Sequence, residues 1–250
     1  MDWSIGSGLR VGGHRGAAGS APENTMASFR RAADAGVDYL ELDVRLTRDG
    51  RAVVFHDDTT ARTTGEAGTI EDRPLEEVRR LDAGGWFAPG FAGELVPTLD
   101  EVLVFLAERP DLGATIEAKG SGTAVPIAAA ALASPATARL SICSFDGDEL
   151  RAAAKAAPAL PRLLIVDRDR PGDDPLAAAI GAAATGVNVP LDWCHAALVE
   201  RLHGAGLLVA GGTIDEDDGI ARAVALGIDT CDSNRPEITV PARDRHRGPR

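Results

Sequence analysis

From residue 113 onward the chain alternates short apolar runs with longer amphipathic stretches, and few folds accommodate that rhythm. Apolar runs at 113–119, 140–144, 162–166, 186–189 and 207–210 are each followed by a stretch of helical periodicity, at 125–133, 146–157, 175–184, 195–204 and 216–226. A last short run spans 228–232. The opening has the same form, with a run at 9–14, a helix at 26–36 that Thr25 or Asn24 can cap and Gly36 can close, and a further strand. Asp146 and Glu149 have the spacing of a capping box. Strands separated by helices must run parallel. The expected architecture is a single domain over 1–250, a (β/α)8 TIM barrel, in preference to an open doubly wound sheet; a chain of 250 residues, 44% of them hydrophobic, can fill it. Residues from about 59 to 98 break the rhythm, with one short helix at 75–81 and a loop rich in Gly and aromatics. They read as a small insertion after the third strand, folding over one end of the barrel. Nine strand candidates compete for eight places, and the hairpin described next is where the extra one is expected. The tail ARDRHRGPR is expected to fray.

Residues 38–58, DYLELDVRLTRDGRAVVFHDD, carry the densest chemistry. Leu40, Leu42 and Val44 share one face of a strand and Glu41 and Asp43 share the other. Two carboxylates so placed repel each other unless a positive charge lies between them. Asp49-Gly50 signals a tight turn, and 52–55 returns to His56-Asp57. A two-residue loop with Arg48 opposite Arg51 would set Asp43 facing His56.

In a TIM barrel the chemistry lies at the carboxyl ends of the strands. Here those ends carry His14 and Arg15, Glu41 and Asp43, His56 and Asp57, Glu117 and Lys119, Ser144, and Asp232. Each residue alone has an ordinary structural reading, as a turn cap or a solvated ion pair. Their convergence is harder to dismiss. Three carboxylates crowded at one mouth call for a hard divalent cation with oxygen ligands, Mg²⁺ or Ca²⁺, and no His and Cys pattern at zinc spacing competes. A hard cation, an arginine and two separate histidines suggest phosphoryl chemistry: one histidine takes a proton from an attacking hydroxyl and the other supplies the leaving oxygen. Arg15 and Lys119 would neutralise charge on the phosphate oxygens. Lys119 carries extra weight, because only it and Lys155 are lysines among 26 basic residues.

A net charge of −12 argues against nucleic acid or an anionic membrane as the main partner. No run reaches 18 apolar residues and the first residues lack a secretory pattern, so a cytoplasmic protein without stable membrane association is expected. Cys143, Cys194 and Cys231 are too scattered for a disulfide framework and read as buried, reduced thiols.

With these residues in view, the sequence resembles the glycerophosphodiester phosphodiesterase family. The resemblance runs in order through His14-Arg15-Gly16, Pro22-Glu23-Asn24-Thr25, Glu41-Leu42-Asp43, Thr47-Arg48-Asp49-Gly50, Val53-Val54-Phe55-His56-Asp57, Arg62-Thr63-Thr64-Gly65, Pro97-Thr98-Leu99, Ile116-Glu117-Ala118-Lys119 and Ser144-Phe145. It implies a TIM barrel with an insertion after the His-Asp pair, a divalent metal (Mg²⁺ or Ca²⁺, with Mn²⁺ as a further option) on Glu41, Asp43 and Glu117, and His14 and His56 as general acid and base. It implies release of sn-glycerol 3-phosphate and an alcohol from a glycerophosphodiester, through a cyclic phosphate formed by a glycerol hydroxyl. Two departures lie near the C-terminus. Where the family has an aromatic before Thr-Val-Asn, this chain reads Gly211-Gly212-Thr213-Ile214-Asp215, so the aromatic wall is expected either to be missing or to be supplied by Trp86, Phe87 or Trp193. The closing Thr-Asp-x-Pro segment reads Cys231-Asp232-Ser233-Asn234-Arg235-Pro236, with an altered spacing. A sphingomyelinase-D-like lysophospholipase and a phosphodiester-binding protein without turnover are the alternatives. The released alcohol and the oligomeric state stay open at this point.

Overall fold

A computed structural model describes residues 3–167 and 174–247. Its strands are β1 (Arg10–Gly13), β2 (Tyr39–Leu46), β3 (Ala52–Val54), β4 (Gly113–Ala118), β5 (Leu140–Ser144), β6 (Arg162–Ile165), β7 (Gly186–Val189), β8 (Leu208–Gly211) and β9 (Thr230–Ser233). The helices are α1 (Met26–Asp34), α2 (Ala61–Thr64), α3 (Leu75–Val78), α4 (Leu99–Ala107), α5 (Ala124–Ala133), α6 (Gly147–Ala156), α7 (Pro175–Gly181), α8 (Ala196–Gly204), α9 (Asp217–Leu226) and α10 (Pro236–His246).

The sheet order is β1-β9-β8-β7-β6-β5-β4-β2-β3, and a further β1–β2 pairing closes it. Eight strands run parallel in that ring, and β3 is antiparallel to β2. This is the expected TIM barrel, with the hairpin supplying the extra strand.

Alternation along each strand sorts the side chains. Val11, Leu40, Leu42, Val44, Ala114, Ile116, Leu140 and Ile142 join the main core with residues of the surrounding helices. Their alternates, such as Glu41, Glu117, Cys143, Leu163 and Asp232, line a cavity in the barrel. Burying such large aliphatic side chains stabilises the shell by roughly 1.5–3 kcal/mol each. Helix starts follow the capping rules. Thr25 accepts from the Ser28 amide, and Thr98 forms a reciprocal capping box with Glu101. At Asp146 the structure differs from the expected box. Asp146 accepts from the Asp148 amide, while Glu149 turns to the neighbouring helix and takes the Gly122 and Ala124 amides at 2.7 and 2.8 Å.

The hairpin also differs. Val44 pairs with Val54 and Leu46 with Ala52. The Thr47 amide donates to the Arg51 carbonyl, so the loop holds three residues, Arg48-Asp49-Gly50. A one-residue slip puts Phe55, not His56, across from Asp43; the Phe55 amide donates to the Asp43 carbonyl. His56 lies one step beyond the ladder.

The tail is more ordered than its composition suggests. Helix α10 opens on Pro236 at a position suited to proline and buries Thr239, Val240, Ala242 and Arg243. Arg243 pairs with Asp38, tying the tail to the start of β2. The expected fraying is thus corrected through residue 246; residues 248–250 lie outside the described residues. The insertion between β3 and α4 packs around its own apolar cluster of Val53, Phe55, Ile70, Val78, Leu81, Ala83 and Val96.

Candidate active site

One edge of β2 organises the site. Strand β1 covers that edge only at Tyr39 and Leu40, and β3 takes it up again at Val44. Between them the segment after β1 folds in. Asn24 donates to the Asp43 carboxylate at 2.7 Å and accepts from the Asp43 amide at 3.3 Å. The Arg15 amide donates to Glu41 at 2.9 Å. Both loop residues adopt left-handed backbone, φ 52° at Arg15 and 56° at Asn24. Asn accepts that conformation readily and Arg does not. Gly16 follows at φ 87°, where a Cβ would lie 2.3 Å from Ser28 Oγ, so the turn requires glycine.

On the other edge of β2, Asp43 stands directly opposite Glu117 of β4, and Glu41 opposite Thr115. Two like charges so placed destabilise the pair of strands unless a cation intervenes. Lys119 provides one, with its ammonium 2.6 Å from Glu117 and 3.2 Å from Asp43. Arg15 lies 3.4 Å from Asp43 on the other side. Burial disfavours the Asp43 anion, but Lys119 and Arg15 outweigh it and hold the carboxyl far below its ordinary range. Glu117 is pushed up to about 7 by burial and then by the Asp43 charge, against the pull of Lys119. Burial and the charges of Asp43, Asp232 and Glu117 raise Glu41 strongly as well. Oxygens of Glu41, Asp43 and Glu117 lie within 4.8 Å of one another. Three buried carboxylate donors, two of them held reluctant to ionise, suit a hard divalent cation.

The two histidines come to the cavity from different strands. His14 follows β1, and its Nε2 lies 4.0 Å from Glu41. His56 follows β3 and directs Nδ1 to Asp57 at 2.7 Å. Burial lowers the His56 pKa, opposed by Asp43 and by the bond to Asp57. Arg62 grips Asp57 at 2.6 and 2.9 Å and Glu23 at 2.8 and 2.7 Å, and Glu23 takes Arg15 at 2.8 Å. A continuous chain of hydrogen bonds therefore joins His56 through Asp57, Arg62 and Glu23 to Arg15. Of the ten residues picked out at the strand ends, His14, Arg15, Glu41, His56, Glu117, Lys119 and Asp232 line one cavity of about 320 Å³, Asp43 is buried beside Glu41 and Glu117, and Asp57 and Ser144 lie outside the lining.

Sequence reasoning missed the supports: Glu23 and Arg62, matched as motif letters without a role, and Tyr39, whose hydroxyl donates to buried Asp232 at 2.8 Å. Gly12 clears the way for that phenol, since a Cβ there would lie 2.3 Å from the ring. The aromatic side chains of the cavity are not those expected. Trp86, Phe87 and Trp193 are absent from the described lining of the cavity, whose aromatic members are Tyr39 and Phe145. Trp86 instead donates to the Ala83 carbonyl, stacks edge-on with Phe87 and lies 5.7 Å from the Arg62 guanidinium. In the closing segment, Asp232 accepts from the Tyr39 hydroxyl and Asn234 meets His14 Nδ1 at 2.8 Å.

A closed parallel barrel with acids, imidazoles and paired cations at one mouth defines a hydrolytic TIM-barrel enzyme. The model of the glycerophosphoryl diester phosphodiesterase family matches residues 14–238. A glycerophosphodiester phosphodiesterase of Caldanaerobacter subterraneus subsp. tengcongensis is 34% identical over 232 residues, covering 91% of this chain and 94% of its own. A phosphodiesterase of Oleispira antarctica, solved in complex with the product sn-glycerol-3-phosphate, superposes with a TM-score of 0.85 at 29% identity, over 94% of this chain and 96% of that one. A glycerophosphodiester phosphodiesterase from Agrobacterium tumefaciens gives 0.83 at 29% identity, over 93% and 99%. The chain belongs to the glycerophosphoryl diester phosphodiesterase family.

Proposed function

We propose that this protein hydrolyses glycerophosphodiesters to sn-glycerol 3-phosphate and an alcohol, using a divalent cation held by Glu41, Asp43 and Glu117. The observation that carries this reading is the buried carboxylate cluster flanked by Arg15 and Lys119, with two imidazoles at the same cavity. When bound, a cation such as Mg²⁺, Ca²⁺ or Mn²⁺ would polarise a phosphoryl oxygen. Arg15 and Lys119 bind the remaining phosphate oxygens and offset the charge that grows on them. His14 and His56 serve as acid and base: one accepts the proton of the attacking hydroxyl and the other donates to the departing alkoxide. Asp57, locked by Arg62, holds His56 by Nδ1 and turns Nε2 free for that exchange. A glycerol hydroxyl as first nucleophile, giving a cyclic phosphate that water opens, fits a cavity of this size.

Cys143, Cys194 and Cys231 are free and buried, which suits a reducing, cytoplasmic setting. Among the described residues no helix is long and apolar enough to cross a membrane. The sphingomyelinase-D-like alternative gains nothing from the insertion, which has no cysteine with which to form a disulfide.

The test is incubation with a panel of glycerophosphodiesters, with and without EDTA, followed by restoration with each cation. Release of sn-glycerol 3-phosphate that EDTA abolishes and a cation restores is expected. Absence of release with all three cations would overturn the assignment.

A further inference from the structure

We propose that Asp215 is a positioning residue that sets the tautomer of His14 through Asn234. His14 and Asn234 directly follow the adjacent strands β1 and β9, and Asp215 lies in the loop after the next strand, β8. Asn234 binds Asp215 twice, its backbone N–H donating to Oδ1 at 2.7 Å and its Nδ2 to Oδ2 at 2.9 Å. Ser233 Oγ donates to the same carboxylate at 3.2 Å. A carboxylate accepts and does not donate. It therefore fixes which way the Asn234 amide faces, because a flipped amide would set its oxygen against the acid. With Nδ2 committed to Asp215, Oδ1 is the atom that meets His14 Nδ1, at 2.8 Å. An amide oxygen accepts only, so Nδ1 must carry the proton. Nε2 is then the nitrogen left with a lone pair in the neutral ring, and it is the one that faces Glu41.

The backbone holds this arrangement in place. The His14 amide donates to the Ser233 carbonyl at 2.8 Å, and the Gly19 amide to the Asn234 carbonyl at 2.8 Å. His14 and Asn234 thus cannot drift apart without breaking main-chain bonds.

The catalytic consequence rests on the acid–base role proposed for His14, whereas the tautomer itself does not. Uniform ¹⁵N-histidine labelling and a two-bond ¹H–¹⁵N correlation spectrum, at a pH where the ring is neutral, read the tautomer directly, with His14→Ala to assign the signals. The wild type is expected to show Nδ1 protonated. Asp215→Asn should shift His14 to a mixture or to the other tautomer and lower kcat roughly 10–100-fold with little change in KM. The exchange variant Asp215→Asn/Asn234→Asp should restore both, since the carboxylate it places beside His14 accepts from Nδ1 directly. A wild-type His14 protonated on Nε2 overturns the proposal without any variant. An unaltered tautomer in folded Asp215→Asn, or an exchange variant that folds and restores neither signal nor rate, overturns it as well. If the wild type shows the expected tautomer and hydrolyses no glycerophosphodiester, the functional reading fails and the positioning stands.

Discussion

The two halves of the barrel mouth differ sharply. Strands β1 to β4 supply His14, Arg15, Glu41, Asp43, His56, Glu117 and Lys119, every charged group placed in the proposed chemistry. Strands β5 to β8 and the turns after them line the same cavity mainly with Cys143, Phe145, Leu163, Ile165, Val166, Pro190, Ala210 and Gly212, with Asp167, Asn188 and Thr213 as the polar residues among them. The charged half needs the apolar one. Charges interact more strongly where water is excluded, and the largely apolar wall contributes to that exclusion.

The largest expected effect breaks the charged half. His14→Ala or His56→Ala should lower kcat by roughly 10²–10⁴-fold with the fold intact, the usual scale for losing acid–base help; steady-state kinetics showing near-wild-type rates would remove these residues from the mechanism. Glu117→Gln should come next. It keeps the shape of the ligand and removes its charge, so titration calorimetry should show cation affinity falling roughly 10–100-fold while the cation-free melting temperature holds or rises.

The third expectation concerns pH. Glu117 is raised in the folded protein to about 7 from an ordinary value near 4.5. The folded state therefore binds more protons than the unfolded one between those values, and the cation-free protein loses stability as pH rises through that window. A bound cation displaces those protons. The rise in melting temperature on adding cation should grow from pH 5 to pH 8. A constant increment would mean that Glu117 is not a ligand.

Smaller effects sharpen the contrast from the apolar side. Ile165→Val removes one methylene from the wall and should alter kcat/KM by about tenfold or less, carried mainly by KM. An equal fall in kcat alone would make the wall part of the chemistry. Trp86→Ala should change least. The ring is 41% exposed and covers Arg62, outside the described cavity lining, so KM for a panel of diesters should stay near the wild-type value. A large rise in KM would return Trp86 to the substrate wall.

The barrel could be read in the sequence because each βα unit carries its own periodicity. Glu41 and Asp43 alternate with Leu40, Leu42 and Val44 at a period of two, so their shared face is visible from local pattern alone. Asn24 and Arg62 were harder: their letters matched a motif, but their partners Asp43, Asp57 and Glu23 depend on how loops fold back on strands. The hairpin register failed by one residue because Asp49-Gly50 suits two- and three-residue loops alike, and the choice lies in the Thr47 side chain, which accepts the Arg51 amide. The tail was misjudged because its charges suggested solvent, while Arg243 is buried against Asp38. The Asp215–Asn234–His14 connection joins residues some 220 positions apart and leaves no local trace.

The strand that delivers His56 is anchored on its far side by Val53 and Phe55, and both belong to the insertion's cluster rather than to the barrel's. The excursion after the hairpin is therefore not a detachable lid. Trimming it would uproot an imidazole, and a shorter relative built on this plan would have to invent another socket for that side chain before it could turn over anything.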